Sequence, residues 1–255
     1  LTVHGVLTRS SNIGAVKIGA QLGTAVYHRY LQTFGFGGKT GVDLPGEIAG
    51  ILPSAQKWST IRLATASFGQ GIAVTPLQLI SAYGALANGG TLMRPHLVTE
   101  VSNEAGKVIF KQEPTVIRQV IEPATAARVR NLLAAVVEPG GTGWRAQVAG
   151  FRVAGKTGTS QKIDPGGGYS AKGRIASFIG MVPADRPRIV VLVVIDEPKT
   201  SVYGGTVAAP VFQAVARDSL IHLGVPSNLN VGSDLELVRN AVRGPISAEK
   251  AKVPS

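Results

Sequence analysis

Seven successive residues, Ile189-Val190-Val191-Leu192-Val193-Val194-Ile195, constrain this chain more than any other stretch. Every one is β-branched or Leu. The run is too short for a typical core helix, and its lack of polar alternation suits a strand covered on both faces, as at the centre of a sheet. Two more apolar runs precede it. Ile175 to Val182 follows a Gly-rich stretch, Asp164 to Gly173, which reads as a loop. Before that comes Val153-Ala154-Gly155-Lys156-Thr157-Gly158-Thr159-Ser160, an apolar lead-in followed by small residues, one Lys and several hydroxyls. Ala208 to Leu223 then reads as a helix packed on these strands. The expected class is α/β in the α+β sense: an antiparallel sheet flanked by helices.

Upstream the periodicity is helical. Ile13, Val16 and Ala20 mark one apolar face, and Val26, Tyr30, Leu31 and Phe34 a second, with Gly23 between, so residues 8 to about 34 are expected to form two helices. Residues 35–74 are rich in Gly and Pro and read as loops. Asp43 and Glu47 fall there, in structural rather than paired-carboxylate roles. A helix starts at Thr75, where Pro76 occupies the first helical position and Gln78 completes a capping box; it ends at Asn88-Gly89-Gly90. Residues 96–111 read as a hairpin around Asn103-Glu104-Ala105-Gly106. Ala124 to Val137 is a further helix, stopped by Pro139-Gly140-Gly141. From Pro226 the chain turns polar, with a short helix expected over Leu235 to Val242.

The chain has 255 residues and a formal net charge of +11. A basic surface meets nucleic acid, anionic lipid or an acidic polymer. Aromatics are not interleaved with Lys and Arg as in a nucleic-acid platform, so nucleic acid is not an expected partner; an anionic cell-wall or membrane surface is an alternative, though net charge alone does not choose. The absence of Cys excludes disulfides and thiolate zinc sites. His4, His28, His96 and His222 match no metal-ligand spacing, so no metal site is expected. No stretch is long and apolar enough to span a bilayer.

The chemistry is carried by Lys156-Thr157-Gly158. A strand edge with small residues admits an extended peptide through main-chain hydrogen bonds. A Lys and short hydroxyls beside it can hold a carboxylate. Near the start stands a second triplet, Ser10-Ser11-Asn12. Ser-x-x-Lys, a Ser-x-Asn-type triplet and Lys-Thr-Gly, in that order, mark penicillin-binding proteins and serine β-lactamases. The second and third members occur here in order. Gly41-Val42-Asp43-Leu44-Pro45-Gly46-Glu47, Ser67-Phe68-Gly69-Gln70-Gly71, Thr75-Pro76-Leu77-Gln78 and Ile195-Asp196-Glu197-Pro198 resemble the class B penicillin-binding proteins of the septal, cell-division type. The resemblance covers roughly residues 1–224, with 225–255 as a polar tail or linker. It departs from the pattern at one point: no Ser-x-x-Lys precedes Ser10. Ser54-Ala55-Gln56-Lys57 and Ser247-Ala248-Glu249-Lys250 lie after it, in the wrong order for a nucleophile. The expectation is therefore the C-terminal part of a transpeptidase domain, incomplete at its N-terminus.

The resemblance implies a penicillin-binding-protein/serine β-lactamase-like fold, with an all-helical subdomain beside the sheet. It implies catalytic roles for Ser10, Asn12 and Lys156. Ser10 would relay a proton to the leaving D-alanine, and Asn12 would hold the substrate amide. Thr157, Gly158 and Thr159 would bind substrate, with the Thr159 N–H in the oxyanion hole. The implied reaction is peptidoglycan D,D-transpeptidation through an acyl-serine, without cofactor, in septal wall synthesis. Stem peptides, β-lactams, the remainder of the same protein and septal membrane proteins would be its partners, at the cytoplasmic membrane on the periplasmic side. A D,D-carboxypeptidase or β-lactamase, an elongation-type transpeptidase and a non-catalytic cell-wall sensor are the alternatives. In the resembled fold two further strands cover the run at 189–195. Without them that run is a hydrophobic edge, and residues 1–255 alone are expected to be poorly soluble.

Overall fold

The computed structural model describes residues 1–164, 166 and 168–227. Helix α1 (Val3–Thr8) is capped by the Thr2 hydroxyl, and α2 (Asn12–Thr33) by the Ser11 hydroxyl, which accepts from Gly14 N. Gly23, at φ 71° and ψ 162°, breaks α2 into the two segments expected from the sequence; only Gly adopts that backbone without steric cost. Helix α1 itself was not expected. Its six residues are too few for a periodic signal.

The loop expected over 35–74 contains a 3-10 turn, Ala55–Lys57, and helix α3 (Thr60–Ala66). Trp58, Leu63 and Ala66 of this region pack with Tyr27 and Leu31 of α2. His28 is buried there, its Nε2 bonded to the Pro53 carbonyl at 3.0 Å and its ring edge-on to Trp58. Asp43 and Glu47 have the structural roles expected. Asp43 accepts from the N–H groups of Leu97 and Val98, at 2.8 and 2.9 Å, and Glu47 from those of Thr40 and Gly41, at 2.7 and 3.0 Å.

Helix α4 (Pro76–Ala87) begins with the capping box read from Thr75 and Gln78. Gln78 is only 1% exposed, and its Nε2 also donates to the carbonyls of Gly38 and Ala49. One side chain thus caps a helix and pins the Gly-rich turn after α2. Strand β1 (Thr91–Met93) follows, then the hairpin of β2 (Glu100–Ser102) and β3 (Val108–Lys111), and β4 (Val116–Gln119), which pairs antiparallel with β1. Helix α5 (Pro123–Ala134) leads into the main sheet.

That sheet has β5 (Ala154–Ile163), β6 (Tyr169–Val182) and β7 (Ile189–Asp196), antiparallel in the order β5-β6-β7. One expectation changes, and one is met. The strand begins at Tyr169, so much of the expected Gly-rich loop is hairpin ladder. The central strand is β6, whose C-terminal half is almost wholly buried, while β7 lies at the margin with Val194 47% exposed. The unbroken apolar run is thus an open hydrophobic edge among the described strands, the condition stated above for poor solubility.

Helix α6 (Gly204–Val207) and helix α7 (Ala209–His222) complete the described fold. Helix α7 covers one sheet face, where Phe178 and Phe212, both fully buried, meet edge-on at 4.8 Å between ring centres. Helices α4 and α5 lie on the other, over Ala154 and Met181. The expected helix over 235–242, and nearly all of the expected tail, fall outside the described residues.

Candidate active site

Where the α1–α2 junction meets the edge strand β5, a cleft of about 770 Å³ opens, lined by residues including Ser10, Ser11, Asn12, Lys156, Thr157, Gly158 and Thr159. Each wall is fixed by local chain physics. Ser11 takes the capping work at the start of α2. That leaves Ser10 free of it, in a left-handed conformation at φ 52°. A non-Gly residue there costs about 1 kcal/mol. The turn is held by Ser10 N to Leu7 O at 3.2 Å and Ser11 N to Val6 O at 2.9 Å. Asn12, the first residue of α2, also lines the cleft, and its amide makes no hydrogen bond among the described residues.

Strand alternation sorts the second wall. Lys156 points to the α1–α2 side and donates from Nζ to the Ser10 hydroxyl at 2.7 Å, across 146 residues of sequence. It also donates to its neighbour's carbonyl, Thr157 O, at 3.2 Å. Thr157 and Thr159 alternate with Lys156 along β5, yet both line the same cleft, and the Thr157 hydroxyl lies 3.5 Å from the Lys156 Nζ. The Thr157 hydroxyl pairs with that of Thr142 at 3.0 Å, and the Thr159 hydroxyl accepts weakly from Gly204 N at 3.4 Å. Gly204 and Gly205 are required by closeness. A Cβ on Gly204 would strike the Ser177 carbonyl, and one on Gly205 the Thr142 carbonyl. Helix α6 therefore lies flush on the sheet, bringing Tyr203 to the rim.

No Asp, Glu or His lines the cleft. Burial alone pulls Lys156 down to a pKa of about 8. At pH 7 it is then protonated about ten to one. A half-buried ammonium without a carboxylate partner is an anion-seeking group. Since the Ser10 oxygen accepts from Lys156, its own O–H is left to donate to a second group.

The structure brings together all six residues singled out from the sequence. Neither Ser54 nor Lys57 lines the cleft; Ser54 stands at the head of the 3-10 turn. Ser247 lies outside the described residues. Sequence reading missed Thr142, Trp144 and Tyr203 as cleft residues. Gly141-Thr142-Gly143, a hydroxyl between two glycines, was the available signal for the first, and Tyr203-Gly204-Gly205 before a helix for the third.

Residues 1–217 match the family described as the penicillin binding protein transpeptidase domain. Stage V sporulation protein D of Bacillus subtilis is 44% identical over 227 residues, covering 88% of this chain and 35% of that protein. Peptidoglycan D,D-transpeptidase FtsI of Escherichia coli is 37% identical over 247 residues, covering 96% of this chain and 40% of that one. The chain thus spans two fifths or less of these relatives' length. The crystal structure of penicillin-binding protein 3 from Mycobacterium tuberculosis with ampicillin superposes with a TM-score of 0.83 at 37% identity, covering 91% of this chain and 53% of that one. The Ser-x-Asn and Lys-Thr-Gly triplets, met in one cleft at a sheet edge, and a match running through nearly all of the described fold lead to one assignment: the chain belongs to the penicillin-binding protein transpeptidase family.

Proposed function

We propose that the cleft is the substrate-binding half of a peptidoglycan D,D-transpeptidase site, in which a serine not among the described residues is the nucleophile. The observation that carries this reading is the Lys156–Ser10 hydrogen bond at 2.7 Å beside the β5 edge. The relatives' names and the ampicillin complex support it.

In this reading an extended D-Ala-D-Ala stem peptide lies along β5. Its terminal carboxylate sits among Lys156, Thr157 and Thr159, and Asn12 takes its backbone amide. Lys156 holds the Ser10 oxygen, so the Ser10 proton is aimed at the departing D-alanine nitrogen. Such proton delivery matters because an amine leaves poorly without it. The Thr159 N–H is assigned, by family likeness, to the acyl oxygen; one donor of that kind contributes about 3 kcal/mol. An acyl-serine forms with loss of D-alanine, and an amine from a neighbouring strand takes the acyl group. β-Lactams fit as mimics of the D-Ala-D-Ala end. The reading puts this work in septal wall synthesis, on the periplasmic side of the cytoplasmic membrane, and the relative named FtsI supports it; no described helix is long and apolar enough to cross a membrane.

The test is acylation by a fluorescent penicillin. The full-length protein should label. Lys156→Met and Ser10→Ala should each slow labelling about a hundredfold. Residues 1–255 alone should not label, since a serine enzyme without its nucleophile loses about a million-fold. Labelling of 1–255 at Ser54 or Ser247, or full-length labelling indifferent to Lys156, overturns the reading. Steady turnover of a chromogenic cephalosporin would assign the site to a hydrolase instead.

A further inference from the structure

A second cavity, of about 410 Å³, lies between the Gly-rich turn after α2 and the β1–β4 ladder, and shares no lining residue with the cleft. Three cations stand on its walls: Lys39 in the turn, Arg94 beyond β1 and Arg118 in β4; no Asp or Glu lines it. The side chains of Lys39 and Arg94 make no hydrogen bond or ion pair with a described residue, and Arg118 donates one N–H to the Gln32 carbonyl at 3.3 Å. Arg94 lies close along Gly41, where a Cβ would stand 3.5 Å from its Nε.

The backbone adds to this. The consecutive N–H groups of Gly37, Gly38 and Lys39 have no acceptor among the described residues. The next two, of Thr40 and Gly41, are taken by Glu47. The turn is built rather than loose: Gly37 has φ 81° and sits so close to Leu52 that a Cβ would fall 2.8 Å from it, while the Gly38 carbonyl is held by buried Gln78 at 2.7 Å. Glu47 is the carboxylate to weigh against an anion site. Burial pushes it up, but the Thr40 hydroxyl, the Thr40 and Gly41 N–H groups and the Lys39 charge hold it below the usual carboxylate range. It is therefore ionised and already engaged by the turn, and it does not pair with Arg94 or Arg118.

We propose that this cavity binds a phosphoryl group, a phosphate or diphosphate, independently of the cleft. Guanidinium forks match the edges of a phosphate. A run of free backbone N–H groups in a Gly-rich turn makes an anion-binding concavity. The volume lies within the range of small-molecule sites and leaves room for a diphosphate or for the first atoms of an ester. The phosphate can be free or carried on an anionic lipid.

Calorimetric titration of the full-length protein with inorganic pyrophosphate, at constant ionic strength, tests this. Saturable binding tighter than about 1 mM is expected, about tenfold weaker in Arg94→Ala and about a hundredfold weaker in Arg94→Ala/Arg118→Ala. Lys156→Met should leave it unchanged. Both arginines are exposed, and an unchanged melting midpoint in the double variant verifies its fold. No saturable binding, equal affinity in the double variant, or citrate binding as tightly as pyrophosphate refutes the proposal. Phosphatidylglycerol vesicles distinguish the source. Capture that pyrophosphate competes away and the double variant loses points to a lipid headgroup. Pyrophosphate binding without vesicle capture points to a free phosphate.

Discussion

If Lys156 is the carboxylate-holding cation, ligand affinity must fall as pH rises through its titration. N-acetyl-D-alanyl-D-alanine is a suitable probe, because its carboxyl group stays ionised throughout the range. No Asp, Glu or His lines the cleft, so Lys156 is the group expected to titrate there between pH 7 and 9.5. In the free protein its pKa is about 8, lowered by burial. A charge-assisted hydrogen bond to the ligand contributes about 2 kcal/mol. By linkage that raises the Lys156 pKa in the complex by about 1.5 units, to roughly 9.5. The dissociation constant should therefore be flat below pH 7, rise about eightfold between pH 8 and 9.5, and level off above about pH 10.5 at about 30-fold over its low-pH value. Lys156→Met should bind about 30-fold more weakly at pH 7, with no pH dependence. Trp144 lines the cleft, whereas Trp58 is buried between α2 and α3, so tryptophan fluorescence reads the site at micromolar protein, below aggregating concentrations. A flat wild-type profile, or a Lys156→Met profile with the same inflection, would refute the assignment.

The same lysine should make stability depend on pH. Its folded pKa is below the unfolded value of 10.5, so the unfolded chain binds more protons between the two and stability rises with pH. The gain between pH 8 and 10 is about 2 kcal/mol by urea denaturation, and absent in Lys156→Met. Above pH 10 the buried phenols of Tyr83 and Tyr27, whose pKa values burial raises, act in the opposite sense. Ser10→Gly should be more stable than Ser10→Ala by about 1 kcal/mol, since both lose the hydroxyl but only Gly relieves the positive φ; equal stabilities would argue against the strained turn. Val194→Lys, at an exposed position on the margin strand β7, should reduce aggregation of residues 1–255 in light scattering, with a stability cost within about 0.5 kcal/mol. Gly204→Ala should cost about 2 kcal/mol or more, because its Cβ meets main-chain carbonyls that cannot move aside.

What could be read from the sequence, and what could not, divides along the range of the interactions. The capping box of α4, the break at Gly23 and the β5–β6–β7 run are local, written in adjacent residue types, and were legible. Helix α3 was hidden because its stability comes from Trp58 and Leu63 meeting Tyr27 and Leu31, a tertiary contact that overrides a Gly- and Pro-rich neighbourhood. The place of β7 could be read only with the help of the family resemblance, which made it an edge in the absence of two further strands. An unbroken apolar run says that both faces want cover, but not whether both edges are paired. Its faces do find partners, with Val191 and Val193 against the α7 cluster and Val190 against the α4–α5 cluster, while one edge stays open. In the cleft the triplets could be named from the sequence, but the division of labour inside the first could not. Ser10, Ser11 and Asn12 are all plausible caps by residue type. Only the backbone decides: Ser11 sits one residue before the helix and caps it, and the turn in front throws Ser10 into a left-handed conformation that aims its hydroxyl at Lys156. The capping and the site are therefore one device. A change that moved the helix start by a single residue would hand the cap to Ser10 and withdraw it from the lysine, so the identity of Ser11 matters to the cleft although its hydroxyl is engaged by Gly14.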